Sequence, residues 1–263
     1  MQNKILKGLS LAFVLGTGSA NAALMYDADV TPDAIFGSGN ANGSFTVDQN
    51  NGVELGLRGK LRHNAAGLPE NTFNSNGDGT YSFNAGVAPT QTAPTAEWSF
   101  EWSINTNFDG SSGYNLSDLT FLLGLDSDPS LSTNFADSFD VINGAPCFDH
   151  ALGTNATGNG GGLATDCGVA TAAADYSANI GSFNVAQNSW KPHWFLTGFD
   201  PTVDGTYDFF LAAFASDGSE LARTSMQIIV GEGGSADIPE PAPLLLLLSG
   251  LLGLVGARKL KKK

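Results

Sequence analysis

Hydrophobic and polar residues alternate along several short segments of the chain. Val53, Leu55 and Leu57 are separated by single polar or small residues, and the same period of two runs from Trp98 to Ile104. Successive side chains of a strand point to opposite faces, so this period predicts half-buried antiparallel strands. Further strands are predicted at residues 43–48, 80–84, 118–125, 138–142, 206–215 and 221–230.

Segment 206–215 is apolar on both faces, since Phe209, Phe210 and Leu211 follow one another. Such a run is typical of a central strand. Residues 217–220, with the sequence Asp-Gly-Ser-Glu, fit a hairpin turn into the next strand. No segment between the two ends of the chain shows sustained helical spacing with caps.

These patterns predict one all-β domain over residues 23–230, an antiparallel β-sandwich of jelly-roll-like form. Trp98 and Trp102 lie on one face of a predicted strand and are expected in the core, where aromatic strand residues bury their large surface. Glycine-rich polar stretches predict loops at residues 36–44, 73–79 and 152–163, and residues 231–237 are expected to form a linker.

The first 22 residues have the three parts of an export signal. Lys4 and Lys7 precede an apolar stretch at residues 8–15, and Ala20-Asn21-Ala22 is a small-residue cleavage site. We expect residues 1–22 to form a signal helix that is removed by signal peptidase between Ala22 and Ala23.

The C-terminal end has a different apolar segment. Pro239-Glu240-Pro241 precedes an apolar run at residues 242–257, and the basic residues 258–263 follow it. A helix of this length spans roughly 24 Å at about 1.5 Å per residue, against a hydrocarbon core of about 30 Å. Basic flanking side chains can extend it, and their charge favours a cytoplasmic C-terminus. We expect a transmembrane helix at 242–257.

The three parts of this tail, in this order, resemble the PEP-CTERM sorting signal of Gram-negative exopolysaccharide producers. The resemblance covers residues 238–263, with Ile238 where the family usually has valine. It implies temporary anchoring in the inner membrane, cleavage near Pro239-Glu240-Pro241 by an exosortase, and release to the cell surface or extracellular matrix. Segments 124–130, 187–190 and 204–209 resemble exported proteins with the same tail, for which no function can be carried across.

The charge of the exported part restricts its partners. From Ala23 to Asp237 there are five basic and 25 acidic residues, a formal charge of −20. Nucleic acid is excluded as a partner, because phosphate recognition needs a cationic surface. Divalent cations and neutral or cation-bridged polysaccharides fit this charge, and so does a simple role in solubility.

Cys147 and Cys167 are the only cysteines, and both lie in the exported part. One pairing is available to them, and an oxidising compartment favours a disulfide. Two thiolates and the nearby His150 would be too few ligands for a structural metal site.

Two oxygen-rich segments allow calcium as the one candidate cofactor. Asn74-x-Asn76-x-Asp78-Gly79 has the spacing of the first half of a calcium loop, although Ala85 stands where an EF-hand has Glu. Asp126 and Asp128, with acidic residues downstream at 137 and 140, form the second candidate. The alternative for both is a polar loop with solvated side chains.

An aromatic cluster suggests sugar binding. Trp190, His193 and Trp194 surround Lys191-Pro192, where proline makes a central strand unfavourable. Exposed aromatic faces in this loop could stack on sugar rings. The alternative is that Trp194 and Phe195 pack into the core.

The sequence has no nucleophile elbow, phosphate-binding loop or zinc-protease motif. We therefore expect a non-enzymatic surface or matrix protein with a structural or carbohydrate-binding role. Its partners would be signal peptidase and exosortase during processing, the inner membrane before cleavage, and exopolysaccharide. A glycan-processing enzyme and a self-associating surface protein without sugar binding remain as alternatives.

Overall fold

The computed structural model describes residues 23–235, in which two β-sheets pack face to face. One α-helix and two short 3-10 helices lie in the connections. In chain order the elements are β1 (Met25–Ala28), β2 (Phe45–Asn50), β3 (Val53–Leu61), β4 (Thr80–Phe83), β5 (Trp98–Asn105), the 3-10 helix Leu116–Asp118, β6 (Thr120–Leu125), β7 (Ala151–Gly153), α1 (Ala172–Ile180), β8 (Val185–Trp190), the 3-10 helix Pro192–Trp194, β9 (Gly205–Phe214) and β10 (Glu220–Val230).

The first sheet has six strands in the order β1-β2-β3-β5-β8-β7, and the second has four in the order β4-β10-β9-β6. The predicted all-β sandwich is therefore confirmed, and β9 is an inner strand as expected. The antiparallel prediction is wrong for one pair, because β4 runs parallel to β10. No hairpin joins these two strands, so no tight turn imposes an antiparallel direction on them.

Some elements differ from the predictions. Residues 138–142 form no strand, and only Phe139 bridges to Leu123. Strands β1, β7 and β8 and helix α1 were not predicted. Helix α1 is alanine-rich, with an apolar face too narrow to give a clear helical period.

The core lies between the two sheets and is rich in aromatic rings. Trp98 and Trp102 are fully buried, which confirms their predicted place. Phe100 of β5 packs against Phe209 of β9, with 5.1 Å between the ring centroids. These contacts hold the inner face of the six-stranded sheet against the four-stranded sheet.

The outer face of the six-stranded sheet is also covered, so β3 and β5 are buried on both faces and the half-buried prediction is wrong. The covering is residues 29–44, the connection between β1 and β2, which we call the cover segment. The Gln187 side chain accepts a hydrogen bond from the Ile35 amide and donates one to the Pro32 carbonyl. Polar side chains on the outer face of the sheet thus hold the cover segment in place.

The disulfide Cys147–Cys167 is formed, as predicted. Residues 1–22 and 236–263 lie outside the described part of the chain. Several features therefore stay predictions: signal cleavage after Ala22, the end of the linker, the motif Pro239-Glu240-Pro241, the membrane helix 242–257 and the basic tail. Within residues 23–235, no helix is both long and apolar enough to cross a membrane.

Candidate functional site

A groove of about 610 Å³ opens on the outer face of the six-stranded sheet, beside the cover segment. A second cavity of about 430 Å³ adjoins it and ends at Trp194 and Phe195. We treat the two as one groove, because both are lined by the same four residues, Arg62, Asp149, Asn188 and Ser189.

Basic residues are concentrated at this groove. Arg58, Lys60 and Arg62 alternate along β3 and just beyond it, so their side chains share the outer face of the sheet. Lys191 follows β8 and lines the same groove. Residues 23–237 are strongly acidic and have five basic residues, four of which are therefore near this groove.

Arg58 is held by the structure of the sheet. Its Nε lies 2.6 Å from Glu101 Oε2, and its guanidinium lies 4.0 and 3.8 Å from the ring centroids of Phe45 and Phe73. It also donates a hydrogen bond to the Ala41 carbonyl. All of its contacts are internal, so Arg58 has a structural role.

Lys60 is held in a similar way. Its Nζ lies 3.2 Å from Glu101 Oε1 and donates to the Ser38 carbonyl and the Asn40 side chain of the cover segment. Burial lowers the pKa of Lys60, while the charge of Glu101 opposes this shift. Glu101 is thus shared by two cations, Arg58 and Lys60.

Arg62 and Lys191 differ from these two cations because neither forms an ion pair within residues 23–235. Arg62 reaches across the sheet and donates to the carbonyl and hydroxyl oxygens of Ser189, each at 3.2 Å. Arg62 Cζ lies 5.7 Å and Lys191 Nζ 5.6 Å from the ring centroid of Trp194. Burial, and then the charge of Arg62, lowers the pKa of Lys191.

Two histidines lie near these cations. His63 Nδ1 is 3.2 Å from the Gly67 carbonyl oxygen, whereas its buried Nε2 has no hydrogen-bond partner in the described structure. His193 Nδ1 is likewise buried and without a partner there. Burial lowers the pKa of both rings, and the charge of Lys191 lowers it further. Both are therefore mainly neutral at pH 7.

The structure separates the two tryptophans of the predicted sugar site. Trp190 is only 4% exposed and stacks on Phe195 with 4.3 Å between centroids, so the expectation of an exposed face is wrong for Trp190. Trp194 is 52% exposed, so the alternative that it packs into the core is also wrong. The 3-10 helix that begins at Pro192 places Trp194 at the end of the groove, whereas the neighbouring His193 lines neither part of it.

The first calcium candidate forms an internally bonded loop. Asn74 Nδ2 donates to the Ser82 carbonyl, Asn76 Nδ2 donates to Thr80 Oγ1, and Asp78 Oδ1 accepts from the Thr80 amide. These contacts order the turn before β4, which accounts for the oxygen-rich sequence.

The second candidate is organised in the same way. Asp126 Oδ1 accepts from the amides of Asp128 and Asn134, and Asp128 accepts from the Ser130 amide. Over residues 23–235, no group of three or more His, Cys, Asp or Glu side chains is placed to hold a metal ion. Calcium binding at either segment stays a prediction.

The groove residues Arg62, Asp149 and Ser189 were not identified from the sequence. The available signal was the alternation Arg58-x-Lys60-x-Arg62, which places three of five basic residues on one strand face. Residue alternation could not predict that β8 and Asp149 contribute to the groove, because their position depends on pairing between distant strands.

No family model matches the chain, and neither a curated protein nor a solved structure is significantly similar to it. The function is therefore argued from the groove and from the two ends of the sequence.

Proposed function

We propose that the protein is an exported carbohydrate-binding protein of the cell surface or extracellular matrix, and that the groove is its glycan site. The observation that carries this proposal is the exposure of Trp194 at one end of a groove with both polar and apolar lining residues. Large aromatic rings are usually buried, and a sugar ring offers an apolar face to stack on one that is not. Exposed Asp149 and partly buried Ser189 add acceptors for sugar hydroxyls.

Binding is favoured over hydrolysis by the number of acids at the site. Within the described structure, Asp149 is the one carboxylate that lines either part of the groove. Glycoside hydrolases generally use two carboxyl groups that flank the scissile bond. We therefore propose a site that holds a glycan without cleaving it.

The route to the surface is proposed from the two ends of the chain. Signal peptidase would cut after Ala22, residues 242–257 would anchor the precursor in the inner membrane, and an exosortase would cut near Pro239-Glu240-Pro241. The disulfide Cys147–Cys167 supports this proposal, because such bonds persist in oxidising compartments. Intact-mass analysis of the mature protein tests it, since a mass that includes residues 258–263 would contradict cleavage.

Co-sedimentation with the producing organism's own exopolysaccharide tests the glycan site. We expect saturable binding that Trp194→Ala weakens about tenfold, equivalent to about 1.4 kcal/mol. Tyr26→Ala is the matched control, because Tyr26 is an exposed aromatic residue outside the groove. Parallel runs with calcium and with chelator show whether a cation contributes.

Equal binding by wild type and Trp194→Ala would contradict the proposed site. An equal loss of binding in Tyr26→Ala would also contradict the proposed site. Such a result would show that removing any exposed aromatic side chain weakens binding. Absence of binding with and without calcium would favour the self-associating alternative.

A further inference from the structure

We propose that the glycan held in the groove is acidic, and that Arg62 and Lys191 bind its carboxylate or sulfate oxygens. This inference rests on the proposed function, because it assigns a ligand class to the same site. Of the four cations near the groove, Arg58 and Lys60 contact a carboxylate, whereas Arg62 and Lys191 do not in the described structure.

Arg58 and Lys60 are not the groups that bind the ligand. Glu101 contacts both of them, and their remaining hydrogen bonds go to the cover segment. Arg62 and Lys191 have no carboxylate partner within residues 23–235. In the described part of the chain, Arg62 and Lys191 are therefore the two groove cations that contact no carboxylate.

The like charges of Arg62 and Lys191 repel each other, and Glu101 offsets this repulsion at Arg62 only. Both side chains are partly buried, and both approach the same Trp194 ring. Like charges that are partly removed from water raise each other's free energy. An oxyanion between them would remove that repulsion, and the planar guanidinium of Arg62 suits two oxygens of one carboxylate or sulfate group.

A third group points to a polar ligand at the same place. His63 lines the groove and is only 8% exposed, yet its Nε2 has no hydrogen-bond partner in the described structure. Buried polar atoms are normally paired. Because Nδ1 donates to the Gly67 carbonyl, Nε2 of the neutral ring is an acceptor, and a sugar hydroxyl in the groove would donate to it.

The negative charge of the remaining surface opposes long-range attraction of a polyanion. At physiological salt, however, charges more than about 8 Å apart are largely screened. Asp149 is the acid that lines the groove, and the Asn188 side chain donates to it at 3.3 Å. Arg62 and Lys191 together carry two positive charges and Asp149 carries one negative charge, so the site itself has an excess of positive charge.

Three polysaccharide probes test the inference by affinity electrophoresis or calorimetry at 0.15 M salt. Oligogalacturonate carries carboxylates, dextran sulfate carries sulfate esters, and dextran is neutral. We expect at least one acidic probe to bind ten times more tightly than dextran. Lys191→Gln and Arg62→Gln should each weaken binding of that probe about tenfold.

Arg223→Gln is the matched control. Arg223 lies on β10, is paired with Glu220 and lies outside the groove, so the variant changes net charge equally but leaves the site intact. It should bind like wild type. An equal loss in Arg223→Gln would overturn the inference, because it would show a general charge effect.

The remaining outcomes separate the ligand class from the proposed function. Equal binding of dextran and the acidic probes would overturn the acidic ligand and leave a neutral glycan site. Binding of none of the probes would also overturn it, and co-sedimentation with the organism's own exopolysaccharide then decides the proposed function separately.

Discussion

Arg58 and Glu101 face each other across β3 and β5 and form an ion pair in which both side chains are 0% exposed. The pair lies on the outer face of the six-stranded sheet, beneath the cover segment. Lys60 approaches the second oxygen of the same carboxylate. One buried acid thus pairs with two cations and helps to fix the polar wall of the groove.

Glu101→Gln should strongly destabilise the fold. The variant removes the carboxylate that contacts buried Arg58 and Lys60, a change that typically costs about 3–5 kcal/mol. Urea unfolding gives the free energy of unfolding for wild type and variant. Glu220→Gln is the control, because the exposed pair with Arg223 should contribute about 1 kcal/mol or less. A similar small loss in both variants would contradict the structural role of Glu101.

His150 should reduce stability in acid. The ring is fully buried, its Nε2 is 2.8 Å from the Val141 carbonyl, and Asn188 donates to its Nδ1, so the hydrogen bonds fit the neutral form. Burial lowers the pKa from 6.5 to about 4. Below pH 6.5 the unfolded chain therefore gains a proton that the native state excludes, and stability falls toward pH 4.

Comparison of His150→Gln with wild type tests this effect. The free energy of unfolding of wild type should fall by up to about 3 kcal/mol more than that of the variant between pH 7 and pH 4. Parallel pH profiles of the two proteins would contradict the buried neutral ring.

Asp33, in the cover segment, should have the opposite effect on the pH dependence of stability: it should reduce stability as pH rises. Burial raises the pKa of its carboxyl from 3.8 to about 6, with Arg58 opposing the shift. The native state therefore holds a proton that the unfolded chain has lost, and this stabilisation disappears as pH rises through 6. Asp33→Asn should gain about 1–2 kcal/mol over wild type at pH 7 and nothing near pH 3.5. Thermal melts at both pH values measure the difference, and an equal change at both would refute the assignment.

The disulfide should stabilise the connection between β6 and β8. Cys147 and Cys167 are 20 residues apart, and closing a loop of this length contributes roughly 3 kcal/mol on the chain-entropy model. The double variant Cys147→Ala, Cys167→Ala should lose about this much in urea unfolding. Reductant should lower wild-type stability to the level of the variant, and no effect of reductant would contradict the prediction.

The sheet core could be predicted because its pattern is local. The alternation of Trp98, Phe100 and Trp102 with small or polar residues identifies β5 directly. Strand β8 was missed because Gln187, Asn188 and Ser189 interrupt its apolar pattern, and its assignment depends on pairing with β5. The sequence pattern thus identified strands with strong apolar faces and failed where the pairing is non-local.

The groove could be predicted only in part. Arg58, Lys60 and Arg62 occupy every second position, which defines a basic strand face. The same pattern, however, is typical of a solvent-exposed face. Burial of that face results from the cover segment, whose position depends on hydrogen bonds to Gln187, more than 150 residues away. Which cations are paired and which are free is therefore a property of the folded chain.

At the proposed glycan site, the bound glycan is expected to cover Trp194. The other tryptophans, Trp98, Trp102 and Trp190, are at most 4% exposed, so collisional quenching by acrylamide reports mainly on Trp194. The first measurement is therefore acrylamide quenching with and without saturating exopolysaccharide, with Trp194→Phe as the reference. We predict that exopolysaccharide reduces the quenching of wild type and leaves that of the variant unchanged. Unchanged quenching of wild type, in a sample shown by sedimentation to be bound, would contradict a glycan site at Trp194.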